Sequence, residues 1–455
     1  MTKILLVYPP FCTPATPPYS TTNLYAFIRD NSEFEVEVLD LNLAFHLEKF
    51  GKYKEYYRNL SKDYDKEEYS KVSLAYRQET KKLYSENSKK IIKGEKPDLF
   101  DESLAKVLER NPDVVAFSIV YSSQAFYAYS LIAALKEKSI KVVVGGPAVN
   151  EKLRKVADYH AKNKVDLLEW LTGNKFEGDD ECVLDFSIHC LKDYFVPSIV
   201  LPLKTSNTCY YKQCTYCTHY DKDEYKEFDL GKIEKTVEMA INSSRANHFF
   251  LVDEMIPKKR LLELAAIFKK HKAKWTCQLR PTKELDYITL KTLRESGLTM
   301  LMWGVESGSD RILGLIKKGT NVKDVEKVLS DSRNAGIKNI AYIIFGFPTE
   351  TKEEFLETIE FLKKNSESID LVSTSVFGLQ KDTPIFACPE KYGIKDIVLQ
   401  KRTVLEPKIG YVQESGLTPE KASLLRKKYR RTLGKMDGYP KLMNFFREHM
   451  LCLLE

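Results

Sequence analysis

Short apolar runs alternate with amphipathic stretches over the first 160 residues of the chain. Four of these runs have the length and composition of buried strands, at residues 3–8, 35–39, 113–120 and 141–144. The stretches between them, such as residues 123–138, carry apolar side chains at helical spacing. Strands and helices that alternate in this way predict an α/β fold, with a doubly wound, Rossmann-like parallel sheet.

A long charged segment interrupts this first pattern. Residues 46–110 are rich in Lys, Glu and Tyr, whereas loops of about 2–6 residues are usual between such strands. We therefore expect a helical insertion packed on the edge of the sheet, within a first domain of residues 1–170.

A second series of strands and helices begins near residue 200. Its six apolar runs lie at residues 200–204, 248–252, 275–279, 300–304, 339–345 and 371–377. This series predicts a partial (β/α)6 barrel with its active site at the carboxyl ends of the strands. We assign residues 171–394 to this barrel and its linker, and residues 395–455 to a helical C-terminal region.

Composition narrows the class of protein. The net charge of +7 arises from 71 basic and 64 acidic side chains, which is too small and too dispersed an excess for a nucleic-acid-binding footprint. No apolar run approaches the roughly 20 residues of a membrane span, and the first residues do not have the pattern of a signal peptide. The sequence predicts a cytoplasmic protein without nucleic-acid or membrane partners.

Three of the nine cysteines lie close together, directly after the strand at 200–204. Cys209, Cys214 and Cys217 occupy nine residues, so their thiolates can converge on one metal cluster. Three ligands, where a closed site uses four, leave one iron open to a substrate. Two alternatives are a zinc site completed by His219 and a group of buried structural cysteines.

This loop resembles that of the radical S-adenosylmethionine superfamily. The usual loop there is CxxxCxxC, whereas this one is CxxxxCxxC, similar to a variant in a branch with an N-terminal cobalamin-binding-like domain. The Ser-Arg-Gly triplet that often precedes the first cysteine is Ser206-Asn207-Thr208 here. The resemblance implies a [4Fe–4S] cluster on Cys209, Cys214 and Cys217. It also implies reductive cleavage of S-adenosylmethionine to a 5′-deoxyadenosyl radical that abstracts hydrogen from a C–H group.

The resemblance also implies contacts with S-adenosylmethionine. Tyr216 matches an aromatic residue beside the adenine, and Arg280 is suited to the methionine carboxylate. Two further matches, Glu306 and Ser307, fall where the family approaches the ribose and methionine. Gly346 opens a Gly-Phe-Pro-x-Glu turn of the family, and Asp253 follows the second strand, where it can face the cofactor amine. Alternatives are a structural ion pair for Arg280 and helix capping for Glu306 or Asp253.

The first domain resembles the cobalamin-binding-like domain of the same branch, with turns at Pro9-Pro10 and Gly145-Gly146-Pro147. The Asp-x-His-x-x-Gly signature, whose histidine ligates cobalt, is absent. We favour a peptide epimerase similar to the proteusin-type enzymes, which keep this fold without cobalamin. The alternative is a cobalamin-dependent C-methyltransferase. A third class is a cluster-bearing binding protein without turnover. The favoured interpretation implies a ribosomally made peptide as substrate and a flavodoxin or ferredoxin-type electron donor.

Epimerisation requires a hydrogen donor opposite the adenosyl radical, and a thiol is suited to this role. Cys277 lies on the third barrel strand with parity opposite to Arg280, so it faces outward if Arg280 faces inward. Cys388 follows the sixth strand where the chain leaves the barrel mouth, and it is our candidate donor. The alternative is a buried apolar cysteine that packs in this turn.

Overall fold

Two parallel sheets organise the chain, whose computed structural model describes residues 2–219 and 224–454. The strands of the first sheet are β1 (Lys3–Tyr8), β2 (Glu35–Asp40), β3 (Val114–Ser118), β4 (Lys141–Gly145) and β5 (Tyr159–Ala161). Their spatial order is β2-β1-β3-β4-β5, and all neighbours are parallel. The order reverses between β1 and β3, where doubly wound sheets bind ligands at the carboxyl edge.

Seven helices accompany the first sheet. They are α1 (Tyr19–Asn31), α2 (Leu41–Arg58), α3 (Lys66–Ile92), α4 (Phe100–Leu108), α5 (Ala125–Glu137), α6 (Glu151–Val156) and α7 (Lys164–Thr172). The helical insertion consists of α2, α3 and α4, and it begins earlier than the sequence predicted. Asp40 caps α2 by accepting a 2.8 Å hydrogen bond from the Leu43 amide, so the helix starts directly at the end of β2.

The second sheet is the predicted partial barrel. Its strands are β6 (Val200–Leu203), β9 (His248–Leu251), β10 (Lys274–Leu279), β11 (Leu298–Glu306), β12 (Lys338–Phe345) and β13 (Leu371–Val376), in the order β13-β12-β11-β10-β9-β6. Between β6 and β9, β7 (Ser206–Asn207) and β8 (Lys226–Glu227) form a small antiparallel pair. The barrel helices are α8 (Leu230–Ser244), α9 (Lys258–Lys270), α10 (Tyr287–Glu295), α11 (Asp310–Ile316), α12 (Val322–Asn334) and α13 (Lys352–Lys364).

Alternation along β10 separates the inside of the barrel from the outside. Trp275 donates to Ser296 Oγ at 3.1 Å and stacks on Phe268 of α9, so its side chain lies among the surrounding helices. Cys277 has the same parity and is fully buried. Arg280 has the opposite parity and therefore points inward, as the alternation predicted.

The C-terminal region contains the predicted helices, and a hairpin that the sequence analysis did not predict precedes them. After α14 (Pro384–Ala387) the chain forms an antiparallel hairpin of β14 (Ile394–Gln400) and β15 (Lys408–Gln413). Three helices follow, namely α15 (Pro419–Lys428), α16 (Arg430–Gly434) and α17 (Arg447–Leu453). The hairpin leaves Val398, Leu399 and Val412 exposed, so it lacks the clear burial pattern that reveals a strand in sequence.

Helix α17 packs against both the barrel and the helical insertion. Met450 and Leu451 of α17 are fully buried, and Lys274 of β10 donates to the Leu454 carbonyl oxygen at 3.2 Å. The His449 ring packs against Tyr57 of the insertion and accepts from or donates to the Tyr69 hydroxyl at 2.9 Å. The insertion therefore packs on the C-terminal region as well as on the first sheet. Among the helices described, none has the length and apolar character needed to cross a membrane.

Candidate active site

The entrance of the cysteine loop is fixed by a buried aspartate. Asp253 accepts hydrogen bonds from the Thr205 amide and hydroxyl, both at 3.0 Å, and from the Ser206 hydroxyl at 2.7 Å. Burial raises the pKa of its carboxyl to about 6. With these hydrogen bonds Asp253 positions the start of the loop, and its contact with the cofactor amine stays a prediction.

The cysteine loop itself is held from two sides. The Thr215 amide donates to the Ile316 carbonyl oxygen at 2.9 Å, and the Thr215 carbonyl oxygen accepts from the Ile385 amide at 3.0 Å. The loop is thus clamped between the end of α11 and α14. Cys209, Cys214 and Cys217 are free thiols, each partly buried.

The three thiols fit a cluster better than a single ion. Ligands of one zinc ion at about 2.3 Å lie within about 4.6 Å of each other. In the described part of the chain, these sulfurs do not form a group whose atoms all lie within 4.8 Å. Burial raises the pKa of the Cys214 thiol to about 11, so a metal that binds here displaces protons. Cys209, Cys214 and Cys217 are thus the residues that would hold a [4Fe–4S] cluster.

A buried ion pair stands beside this loop at the end of β11. Glu306 accepts from the Tyr216 hydroxyl at 2.9 Å and from Lys318 Nζ at 2.7 Å. Both charged side chains are buried, with Glu306 6% and Lys318 7% exposed. Glu306 has φ of 67°, a left-handed conformation that costs a non-glycine residue energy and often marks a functional site.

Sequence reasoning missed Lys318. The signals that could have found it are two glycines: a Cβ at Gly304 would lie 2.6 Å from Lys318 Nζ, and one at Gly319 would collide with Tyr211 and Arg280. At both positions polar side chains pack closely against the glycine backbone, and Gly319 also has a positive φ of 68°.

Arg280 is oriented by the same turn. Its Nη1 donates to the Lys318 carbonyl oxygen at 3.0 Å, and its guanidinium stacks over the Tyr211 ring with 3.4 Å to the centroid. Its buried Nε has no hydrogen-bond partner in the described residues, and no ion pair joins it to a carboxylate there. A buried guanidinium with an unused donor fits the carboxylate of S-adenosylmethionine.

The other predicted residues lie around this centre. Ser307 Oγ is 3.2 Å from Thr358 Oγ1 of α13, so its side chain packs outward. Gly346 has φ of 73°, and a Cβ there would come within 2.7 Å of Ala422. Its amide donates to Glu350, which closes the predicted turn. Cys388 is partly buried at the end of α14, the helix that contacts the cysteine loop. The structure therefore brings Tyr216, Arg280 and Glu306 to the cysteines, while Ser307 and Gly346 shape the surrounding loops.

A large cleft separates the first sheet from the barrel. Its volume is about 740 Å³, within the usual size range of ligand sites. One wall is the carboxyl edge of the first sheet, with Tyr8 and Cys12 after β1 and Tyr121 after β3. The other wall is the barrel, with Pro202 of β6 and Phe250 of β9. The cleft thus lies at the β1/β3 switch point and faces the barrel strands.

Comparisons with known proteins agree with this geometry. Residues 203–362 match the model of the Radical SAM superfamily. An uncharacterized methyltransferase of Pyrococcus horikoshii is 25% identical over 337 residues, which are 61% of this chain and 70% of that protein.

Two solved structures share the whole architecture. The radical S-adenosylmethionine methyltransferase TsrM from Kitasatospora setae, with cobalamin and a [4Fe–4S] cluster bound, aligns with a TM-score of 0.60 and 15% identity over 93% of this chain and 84% of its own. OxsB, a cobalamin-dependent S-adenosylmethionine radical enzyme with aqua-cobalamin and S-adenosylmethionine bound, aligns with a TM-score of 0.61 and 14% identity over 99% of this chain and 72% of its own.

The domain match identifies the class of the barrel region, and the solved structures show the same fold. Residues 203–362 are a radical SAM domain, and the first sheet has the Rossmann-like arrangement of cobalamin-binding neighbours. A radical SAM domain implies a [4Fe–4S] cluster and S-adenosylmethionine, and Cys209, Cys214, Cys217, Arg280 and Glu306 all lie within the matched residues.

Proposed function

We propose that this protein is a cobalamin-dependent radical SAM methyltransferase. The observation that carries the proposal is the cleft of about 740 Å³ between the switch point of the first sheet and the barrel strands β6 and β9. A cofactor seated on the sheet edge there would face the barrel strands β6 and β9, and Lys204, which lines the same cleft, lies five residues before Cys209. When bound, cobalamin supplies a cobalt centre that carries a methyl group between S-adenosylmethionine and a substrate.

The edge of the first sheet offers a surface for such a cofactor. Gly146, at the turn after β4, has φ of 108°, and a Cβ there would collide with the Ile119 backbone. The turns after β3 and β4 therefore approach each other closely and present bare backbone. Tyr8, Cys12 and Tyr121 complete this edge, and they are the residues that would hold the corrin ring.

On the barrel side, the residues of the active site would bind and orient S-adenosylmethionine. Arg280 offers its unused Nε–H to the methionine carboxylate. Glu306, held by Tyr216 and Lys318, offers its carboxylate to hydroxyl or ammonium groups. An external flavodoxin or ferredoxin-type protein is the proposed electron donor.

The sequence analysis favoured peptide epimerisation without cobalamin. The methyltransferase among the relatives and the two cobalamin-bound folds favour the alternative instead. Epimerisation remains the rival hypothesis, with a peptide substrate and Cys388 as the hydrogen donor.

One experiment separates the two reactions. The enzyme is co-produced with its genomic neighbours, either in medium containing trideuteromethyl-labelled methionine or in deuterated water. Methyl transfer predicts a product heavier by about 17 mass units per site from the labelled methionine, and cobalamin absorbance in the purified enzyme. Epimerisation predicts one deuterium per site from deuterated water and no cobalamin, and that outcome would overturn the proposal.

A further inference from the structure

The start of α17 forms the floor of the cleft. Arg447 and Glu448 both line it, together with Asn444 and Phe445 just before the helix. The rest of the helix is anchored below, where Met450 and Leu451 are fully buried. Helix α17 is therefore fixed by its buried residues and presents Arg447 and Glu448, which carry opposite charges, to the cleft.

Arg447 is held in place from the barrel side. Its Nη1 donates to the Tyr342 hydroxyl of β12 and lies 3.6 Å from Met302 Sδ of β11. The guanidinium carbon lies 5.5 Å from the centroid of the Tyr342 ring. Within the described residues, both side-chain hydrogen bonds of Arg447 come from Nη1, so Nε and Nη2 are available to a carboxylate.

Glu448 is the neighbouring acid on the same helix. Within the described residues its carboxylate is joined to no basic group by an ion pair. Burial raises the pKa of Glu448, an effect that a hydrogen bond from its own backbone amide and, to a smaller extent, the Arg447 charge oppose. A desolvated carboxylate that lines a cleft gains most from a cationic partner.

The remaining cation of the cleft is occupied elsewhere. Lys204 Nζ lies 3.7 Å from Glu254 Oε1, on the side of the cysteine loop. The barrel wall beside this floor carries Phe250 of β9, and Phe445 lies just before α17, whereas Tyr121 belongs to the opposite wall, which is proposed to hold the corrin ring. The floor therefore combines one anion-binding and one cation-binding group next to aromatic side chains on the barrel side of the cleft.

We propose that Arg447 and Glu448 bind the carboxylate and ammonium groups of an α-amino-acid substrate whose apolar or aromatic side chain lies on the barrel side of the cleft, next to Phe250. This inference rests on the proposed function, because it identifies the molecule that would be methylated there. Two adjacent, opposite charges match a zwitterionic head group, whereas a polynucleotide or an internal peptide residue offers no such pair of charges.

Ligand binding tests this proposal directly. The reconstituted holoenzyme is mixed with each of the twenty common L-amino acids, and binding is measured by thermal shift and then by calorimetry. We expect at least one amino acid with an apolar or aromatic side chain to bind, and its amide and N-acetyl derivatives to bind much more weakly. Glu448→Gln and Arg447→Gln should each weaken binding about tenfold or more, because a charge-assisted hydrogen bond is lost.

Matched variants distinguish recognition from folding. Glu420→Gln and Arg430→Gln remove the same charges from exposed positions of the C-terminal region and should leave binding unchanged. If the only role of Arg447 is its hydrogen bond to Tyr342, Arg447→Gln lowers the unfolding temperature without weakening amino-acid binding, and the proposal fails. It also fails if none of the twenty amino acids binds.

Cobalamin absorbance, read in the same samples, tests the proposed function independently. Cobalamin without amino-acid binding overturns only this inference. Amino-acid binding without cobalamin supports the inference and removes the proposed methyl transfer.

Discussion

The polar side chains at the cysteine loop and those at the floor of the cleft differ in how fully they are hydrogen-bonded. At the cysteine loop, the polar groups are buried and already engaged: Glu306 has two donors, and Asp253 has three. At the floor of the cleft, Arg447 uses one of its nitrogens, and Glu448 is paired with no cation in the described residues. A closed network holds a fixed geometry for one ligand, whereas an open pair of charges acquires its partner from the substrate. The cysteine loop therefore suits a cofactor shared by many enzymes, and the floor of the cleft suits the recognition of one particular substrate.

The largest effect should come from removing the three cluster ligands. Changing Cys209, Cys214 and Cys217 together to Ala should abolish the binding of about four irons per chain and the formation of 5′-deoxyadenosine. Iron analysis and chromatography after anaerobic reconstitution measure both. Cys190→Ala, at an exposed cysteine outside the loop, is the control and should retain both properties. Full retention of deoxyadenosine formation in the triple variant would contradict the assignment of the cluster.

The next effect concerns the buried pair at the same end. Glu306→Gln leaves Lys318 buried without its anion, and Lys318→Met leaves Glu306 without its cation. Breaking a buried ion pair in this way costs about 3–5 kcal/mol of stability. Urea denaturation should show each loss, together with weaker binding of S-adenosylmethionine.

The double variant provides the internal control. Glu306→Gln with Lys318→Met removes both charges and should recover most of the stability, since no unpaired charge remains. Binding of S-adenosylmethionine should stay weak, because the carboxylate is still missing. Additive losses of stability in the double variant would show that the two side chains act separately.

The features that were predicted from sequence depend on local pattern. Four strands of the first sheet and the six strands of the barrel follow from apolar runs, and the cysteine loop follows from spacing within nine residues. β5 was missed because three residues are too few to carry a period. Lys318 was missed because it reaches Glu306 only after α11 turns the chain back.

The floor of the cleft was beyond sequence reasoning for a different reason. Arg447 meets Tyr342 across 105 positions of the chain, and nothing near Arg447 in sequence indicates that α17 enters the barrel. The same holds for Asp253, whose partners Thr205 and Ser206 lie 48 and 47 positions away. Long-range packing decides both contacts, and a single sequence contains no record of it.

A moderate effect should appear in the pH dependence of stability. Glu350 is fully buried, and burial raises its pKa to about 8. Between about pH 4.5 and pH 8 the folded chain holds a proton at Glu350 that the unfolded chain releases. The free energy of unfolding therefore falls as the pH rises through this window and levels off above it.

Glu350→Gln should remove this slope while keeping an acceptor for the Gly346 amide. Since a tenfold change in proton affinity corresponds to about 1.4 kcal/mol, the variant should gain on the order of a few kcal/mol over the wild type at pH 9 and nothing at pH 4.5. Unfolding temperatures across the range measure this. Glu353→Gln, at an exposed position on α13, should leave the slope unchanged, and an equal slope in Glu350→Gln would refute the assigned titration.

The smallest effect is expected from the substitution of Cys388. This variant distinguishes methyl transfer from epimerisation with a thiol hydrogen donor. Cys388 lies at the end of α14, whose Ile385 amide contacts the cysteine loop, whereas Cys12 lines the cleft and donates to the Tyr8 hydroxyl at 3.5 Å. If the reaction is methyl transfer, no thiol hydrogen is consumed, and Cys388→Ala should change the rate of product formation by less than about twofold. Cys12→Ala, at the edge proposed to hold cobalamin, should lower cobalamin occupancy more than Cys388→Ala does. If Cys388→Ala instead forms 5′-deoxyadenosine at the normal rate but no finished product, the thiol is a hydrogen donor, and the reaction is epimerisation at the cluster end of the site.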